Sequence, residues 1–282
     1  MEINPFIIYK EIKKKNNPLK FLCAKILIRL HLSTFFTINR GGYYLLKFFP
    51  SAYSRALWLD PKFRIESEEV FFRDYLIQND NVIDVGANIG TITLTCAKAI
   101  GKDGKVLSFE PHPKIFSYLR GNIQLNKLQH IDIHNIALSN ENGFVNFSDA
   151  VSDGQNKILK NSSGIKVPSK KLDDFNFFEN KISLLKIDVE GFELNVFKGS
   201  EKTLASTDCI YFECVERLYE NYGYSFNDLF DFLINHDYKI YKFIQKQIKE
   251  ISKNSKLQES QNLLAIKNLE EFLQRTNYEL IS

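Results

Sequence analysis

The sequence predicts an α/β protein on a doubly wound, mostly parallel sheet, and three observations carry that expectation. An apolar stretch, Asn81-Val82-Ile83-Asp84-Val85, runs into Gly86-Ala87-Asn88-Ile89-Gly90, a glycine turn that opens onto a helix-spaced segment. About twenty residues later a second apolar stretch, Val106-Leu107-Ser108-Phe109, ends in the carboxylate of Glu110. From Asn81 onward, short apolar runs alternate with helical periods, which is the pattern of βαβ units.

The elements follow in order. At 282 residues the chain suits one large α/β domain with additions. Residues 1–66 read as a basic helical extension and residues 67–282 as the main domain. Leu19 to Ile38 is apolar but broken by Lys20, Lys25, Arg29 and His31, so no run reaches membrane-spanning length. At helical spacing Leu22, Cys23, Ile26, Leu27 and Leu30 form one apolar arc, preceded by Lys10, Lys13, Lys14 and Lys15. Such a helix can cap the sheet or the substrate site, or lie on an anionic membrane surface. Gly41-Gly42 and Pro50 punctuate this part. Ser67-Glu68-Glu69-Val70 begins an amphipathic helix with Val70, Phe71, Tyr75 and Leu76 as its apolar set.

Strands are expected at 81–85, 105–109, 131–136, 182–188, 209–214, 238–243 and 262–266. Helices are expected near 90–100, 113–125, 192–205, 225–235 and 268–275. Pro113 suits a first helical turn, where its missing N–H costs nothing. Phe144-Val145-Asn146-Phe147 and Ile165-Lys166-Val167-Pro168 read as short strands flanking a polar loop, a natural substrate loop in which Asp153, Gln155 and Asn156 are candidate contacts. Lys242 to Lys256 reads as a second basic loop.

Composition bounds the function. Residues 1–50 hold nine Lys/Arg against Glu2 and Glu11, hence +7, which leaves −4 for the other 232 residues of a +3 chain. The basicity belongs to the extension, and the main body has no bias toward nucleic acid. Cys23, Cys96, Cys209 and Cys214 form no CxxC pair and read as reduced thiols, so a cytoplasmic setting is expected, with peripheral membrane contact through the basic helix as its variant.

The glycine turn departs from the dinucleotide fingerprint. Gly86-Ala87-Asn88-Ile89-Gly90 lacks the third glycine at that spacing, and Glu110 disfavours a 2′-phosphate. Asp84, just inside the strand end, can face a cationic group. A sulfonium amino-acid nucleoside fits better than a nicotinamide dinucleotide, with ammonium near Asp84, carboxylate at the helix start and ribose on Glu110.

Five motifs in order then make a resemblance specific. Val82-Ile83-Asp84-Val85-Gly86-Ala87-Asn88-Ile89-Gly90, Phe109-Glu110-Pro111-His112-Pro113 and Asn135-Ile136-Ala137-Leu138-Ser139 are followed by Lys171-Leu172-Asp173-Asp174 and Leu185-Lys186-Ile187-Asp188-Val189-Glu190-Gly191-Phe192-Glu193. Together, from about residue 80 to 245, they resemble the FkbM family of S-adenosylmethionine-dependent methyltransferases. The resemblance implies a Rossmann-like class I methyltransferase sheet of seven strands with helices on both faces. S-adenosyl-L-methionine would lie across the carboxyl ends of the first strands. Asp84, Gly86, Asn88 and Gly90 would line its methionine part, Glu110 would hold the ribose, and Ala137 would sit beside the adenine.

Methyl transfer to an alcohol needs alignment and a place for the departing proton. Asp188 and Glu190 follow the fourth strand and Glu213 lies near the end of the fifth, where both borders meet the crevice of a doubly wound sheet. The three carboxylates can be a base with its supporters, or an oxygen-ligand site for Mg²⁺. Alternatively Asp188-Val189-Glu190-Gly191 shapes the turn while Glu193 favours the helix start. Lys186 inside the strand reads as structural, and His112 as a hydrogen-bonding loop histidine or a base.

The expected activity is O-methyl transfer to a hydroxyl of a sugar, glycoconjugate or other small molecule. Its rivals are a nicotinamide-dependent oxidoreductase and a non-catalytic, membrane-docked cofactor-binding module. The acceptor rests on the resemblance, because fold does not determine substrate.

Overall fold

In a computed structural model, residues 17–149, 156–160, 164–175, 181–255, 257 and 259–281 are described. Among these residues nine strands form the main sheet: β1 (Asn81–Val85), β2 (Lys105–Phe109), β3 (Ile131–His134), β4 (Ile182–Ile187), β5 (Thr207–Cys214), β6 (Lys239–Ile244), β7 (Gln247–Glu250), β8 (Gln261–Ile266) and β9 (Glu279–Ile281). Their spatial order is β9-β7-β6-β8-β5-β4-β1-β2-β3. Strands β1 to β5 are parallel, and β8 runs antiparallel to both β5 and β6. The chain leaves β1 toward β2 and β3 on one side and returns through β4 to the other. A crevice therefore opens at the carboxyl ends of β1 and β4.

The strands alternate two apolar sets because both faces are covered. Val82, Val106, Leu184 and Leu264 pack into one core. Ile83, Leu107, Leu185, Ile187 and Phe212 pack into the other. Helices α4 (Thr91–Ile100) and α5 (Pro113–Asn126) bury residues in the first core, and α6 (Glu193–Lys198) and α7 (Phe226–Ile234) in the second. Pro113 does open α5, with the His112 ring accepting from Lys114 N as its cap (3.2 Å).

Several elements differ from expectation. The expected seven-stranded sheet has two further strands, β7 and β9. The Lys242–Lys256 segment, expected as a loop, instead turns at Gln245 (φ 58°) and pairs β6 with β7 as a hairpin. The expected helix at 192–205 is two helices, parted at Gly199, where a Cβ would lie 2.0 Å from Ser139 O and helix and loop meet backbone to backbone. Ile65–Glu69 is a single π turn ahead of α3 (Val70–Tyr75). The two short strands are present as Gly143–Phe147 and Ile165–Lys170, antiparallel, in a separate four-stranded sheet over the crevice side.

The extension is not purely helical. Helix α1 (Pro18–Arg29) is capped by Asn17, whose Oδ1 accepts from Lys20 N (3.3 Å). A hairpin of Thr37–Arg40 and Tyr44–Lys47 follows, turned by Gly41 and Gly42 at φ 65° and 78°, and then α2 (Ala52–Leu59). Ile38, Leu46, Phe48 and Leu57 belong to the same core as Val82 and Leu184. The hairpin also reaches α5: Lys47 N donates to Asn122 Oδ1 (2.8 Å) and Leu45 N to Asn126 Oδ1 (3.0 Å).

A buried ionic knot closes this join. Glu69 accepts from Arg40 and from the Tyr44 hydroxyl (2.9 Å) on one oxygen, and from Arg73 (2.8 Å) and Thr95 (3.1 Å) on the other. Arg40 also donates to Pro61 O (2.6 Å) and Phe63 O (2.9 Å). Buried charges persist when paired and hydrogen-bonded in this way.

Candidate active site

The glycine turn after β1 is shaped by close approach. Gly86 has φ 78°, and a Cβ there would meet Asp188 O at 1.9 Å, so only glycine lets the ends of β1 and β4 come together. Asn88 (φ 50°) and Gly90 (φ 94°) complete the left-handed turn into α4. At Gly90 a Cβ would press on Leu119 at 2.6 Å.

Glu110 stands beside this turn. Its two carboxylate oxygens accept from Asn88 N (2.9 Å) and His112 N (2.8 Å), which orients the group toward the crevice. Burial pushes it up to about 7, and the two backbone N–H groups pull the other way. Ala137, Phe109, Pro111 and Phe147 give the neighbouring slot its apolar walls, and Glu110, Gly86 and Asn88 its polar end. Asn156 also lines the slot, whereas Asp153 and Gln155 lie outside the described residues.

Asp84 is placed differently from expectation. It is fully buried, accepts from the Thr93 hydroxyl (2.6 Å) and pairs with Lys186 Nζ (3.2 Å). The cationic group it faces is thus supplied by the chain itself. Lys186 also donates to Gly86 O (2.8 Å) and Val85 O (3.2 Å), and the surrounding carboxylates raise its pKa against the effect of burial. Lys186 therefore ties the glycine turn to β4. His112 is spent as a helix cap and on Asp149 (3.1 Å).

The structure brings Asp188, Glu190 and Glu213 together, with one carboxylate oxygen of each within 4.8 Å of the others. Glu190 sits at φ 54° and Gly191 at φ 97°, a tight turn held by Glu193, whose Oε1 accepts from Val189 N and Gly191 N (both 3.2 Å). Burial, then repulsion from Asp188, pushes Glu190 up to about 7. Burial with repulsion from Asp188, Glu190 and Glu193 pushes Glu213 up to about 9. Glu213 Oε2 is buried with no hydrogen-bond partner among the described residues, as suits an oxygen that holds a proton or faces a cation.

A second cavity, of about 430 Å³, opens beside the slot and shares Gly86, Asn88, Asp188 and Glu190 with it. Its far walls are Tyr53, Phe63, Arg64 and Glu68 from the N-terminal side, and Glu213 and Arg217 from the other. Glu68 is pushed up by burial and pairs with Arg64 at 2.9 Å. Tyr53, Phe63, Arg64, Glu68 and Arg217 were not legible as site residues. Glu68 and Glu69 read as an ordinary helix start, and nothing in sequence spacing brings Tyr53 or Arg64 to the ends of β1 and β4.

The family model described as the methyltransferase FkbM domain matches residues 84–240. The 2-O-methyltransferase NoeI of Sinorhizobium fredii is 27% identical over 161 residues, covering 49% of this chain and 65% of its own. The hexuronic acid methyltransferase AglP of Haloferax volcanii is 30% identical over 142 residues, covering 48% of this chain and 56% of its own. A crystal structure of methyltransferase FkbM from Methylobacillus flagellatus superposes with a TM-score of 0.44 at 13% identity, over 76% of this chain and 54% of that one. The chain spans less than two thirds of the length of the curated relatives it matches.

Proposed function

The chain belongs to the FkbM methyltransferase family, and on that premise we propose that it transfers a methyl group from S-adenosyl-L-methionine to a hydroxyl of a sugar or glycoconjugate. The observation that carries the proposal is the shared wall. A slot with apolar walls and Glu110 at its polar end meets a larger polar cavity at Gly86, Asn88, Asp188 and Glu190. A donor in the slot would have Glu110 at its ribose and Ala137 at its base. The hydroxyl is supported by the name of the 2-O-methyltransferase, and the sugar by that of the hexuronic acid methyltransferase and by the mix of Tyr53, Phe63, arginines and carboxylates around the second cavity.

When bound, the donor supplies a methyl carbon activated by its sulfonium. The acceptor oxygen forms the new C–O bond as the C–S bond breaks, and its proton must leave. Glu190, held near neutrality, is the group suited to take it, and Asp188, which borders both cavities, holds the hydroxyl in line. Glu213 supports the pair by repulsion. A second reading, with Mg²⁺ among the three carboxylates, is favoured by the orphaned Glu213 oxygen.

Calorimetry with S-adenosylhomocysteine and transfer of labelled methyl to a panel of sugars test the proposal. The chain should bind the nucleoside. Asp188→Asn and Glu190→Gln should keep that affinity while losing about 100-fold or more in transfer. Failure to bind either S-adenosylmethionine or S-adenosylhomocysteine would sink it. Transfer unaffected by EDTA supports the carboxylate base, and transfer abolished by EDTA and restored by Mg²⁺ supports the metal.

A further inference from the structure

Helix α1 is apolar on two faces. Phe21, Ala24, Leu27 and Ile28 turn inward. Of the expected apolar arc, Leu22 (39% exposed), Cys23, Ile26 (47%) and Leu30 (59%) turn outward and Leu27 does not, while Leu19, one turn before it, is 76% exposed. Leu32 and Phe35, immediately beyond the helix, are exposed as well, Phe35 to 81%. Isolated exposed leucines are ordinary, but a stripe at i, i+3, i+7 and i+11 running into an exposed phenylalanine is a contiguous surface.

Charge identifies what fits it. From Ile12 to Leu59 there is no Asp or Glu, while the same stretch holds nine Lys/Arg. Of these, Arg40 is consumed in the buried knot with Glu69. Arg29 borders the outward stripe in the last turn, positioned to lay its stem along an apolar surface and its charge in a headgroup layer, and half-buried Lys25, its Nζ 4.9 Å over the Phe21 ring, adds positive charge at the stripe's flank. The surface is therefore apolar at its centre and cationic at its edge.

We propose that the outer face of Pro18–Arg29, continued by Leu30, Leu32 and Phe35, docks on an anionic lipid bilayer. The helix would lie in the interface, since no helix among the described residues is long and apolar enough to cross a membrane. The docked helix packs on α2, and Ala52 and Tyr53 of α2 wall the second cavity. Membrane contact and the cavity are thus parts of one packed unit.

The test uses the full chain and vesicles of phosphatidylcholine with or without phosphatidylglycerol, read by co-sedimentation. The chain should sediment with the anionic vesicles and remain free of neutral ones, and binding should fall about tenfold or more between low and high salt. Leu22→Ser with Ile26→Ser should weaken binding about tenfold or more, and Lys25→Gln with Arg29→Gln should do likewise. These positions are exposed or bordering, so unchanged circular dichroism and S-adenosylhomocysteine affinity would show that the variants fold. No vesicle binding, or binding unaltered in the leucine–isoleucine variant, would overturn the proposal. So would a dimer in light scattering that this variant abolishes, because the stripe would then serve a second copy of the chain.

Discussion

Glu110 shows how a single carboxylate is prepared for a ligand. Each oxygen already accepts one backbone N–H, which leaves lone pairs directed at the slot and no rotational freedom to lose on binding. Glu110→Gln should weaken S-adenosylhomocysteine binding by about 10- to 100-fold, in line with ~1.5–3 kcal/mol for hydrogen bonds to a charged group. Because burial holds Glu110 near 7, wild-type affinity should rise from pH 6 to pH 8 as the carboxylate ionises, and the variant should lose that slope. Calorimetry across pH reads both. An affinity within threefold of wild type would remove Glu110 from the site. The residues of these turns were legible because strand ends and glycines declare themselves in sequence: Gly86, Asn88, Glu110, Asp188, Glu190 and Glu213 all lie at the crevice. Asp84 was expected to face a ligand's ammonium; the cation beside it is Lys186, 102 residues away, a pairing set by the register of β1 against β4. Tyr53, Arg64 and Glu68 were illegible for a similar reason, since tertiary packing alone brings them in.

At the scale of elements, the central parallel strands were read to within a residue or two because they are buried on both faces and uniformly apolar. The edges were not. Gln247–Glu250 is polar at both ends and buries Ile248, and so carries little strand signal of its own; pairing on both sides makes it a strand. The hairpin at Thr37–Lys47 was likewise hidden, its Gly41-Gly42 visible only as a break. What holds that hairpin is the Glu69 knot. Arg40→Met should destabilise the protein by about 3 kcal/mol, the lower part of the range for breaking a buried pair, because Glu69 keeps Arg73, Tyr44 and Thr95. Denaturant unfolding measures it. A loss under about 1 kcal/mol would mean that apolar packing of the hairpin suffices without the knot.

The whole molecule gathers carboxylates that would rather be neutral. Glu110 and Glu190 are raised to about 7, Glu193 to about 8 and Glu213 to about 9, each chiefly by burial. The ordinary value is 4.5, so the folded state binds protons more tightly than the unfolded one. Their contribution to stability is full below about 4.5 and is lost as pH rises through about 7 to 9. The melting temperature of the ligand-free protein should therefore fall between pH 6 and pH 9. A melting temperature that rises over that interval would show the cluster to be compensated by another group.

The bonds from the N-terminal hairpin to α5 also set an order of events during synthesis. Leu45 and Lys47 find their partners 81 and 75 residues later, at Asn126 and Asn122. On a ribosome the hairpin emerges well before α5, so Leu46, Phe48 and Leu57 have no complete core to enter until the chain has passed β2 and α5. The hairpin is made before the helix it bonds to and settles only after it, and its apolar side chains spend that interval in need of cover.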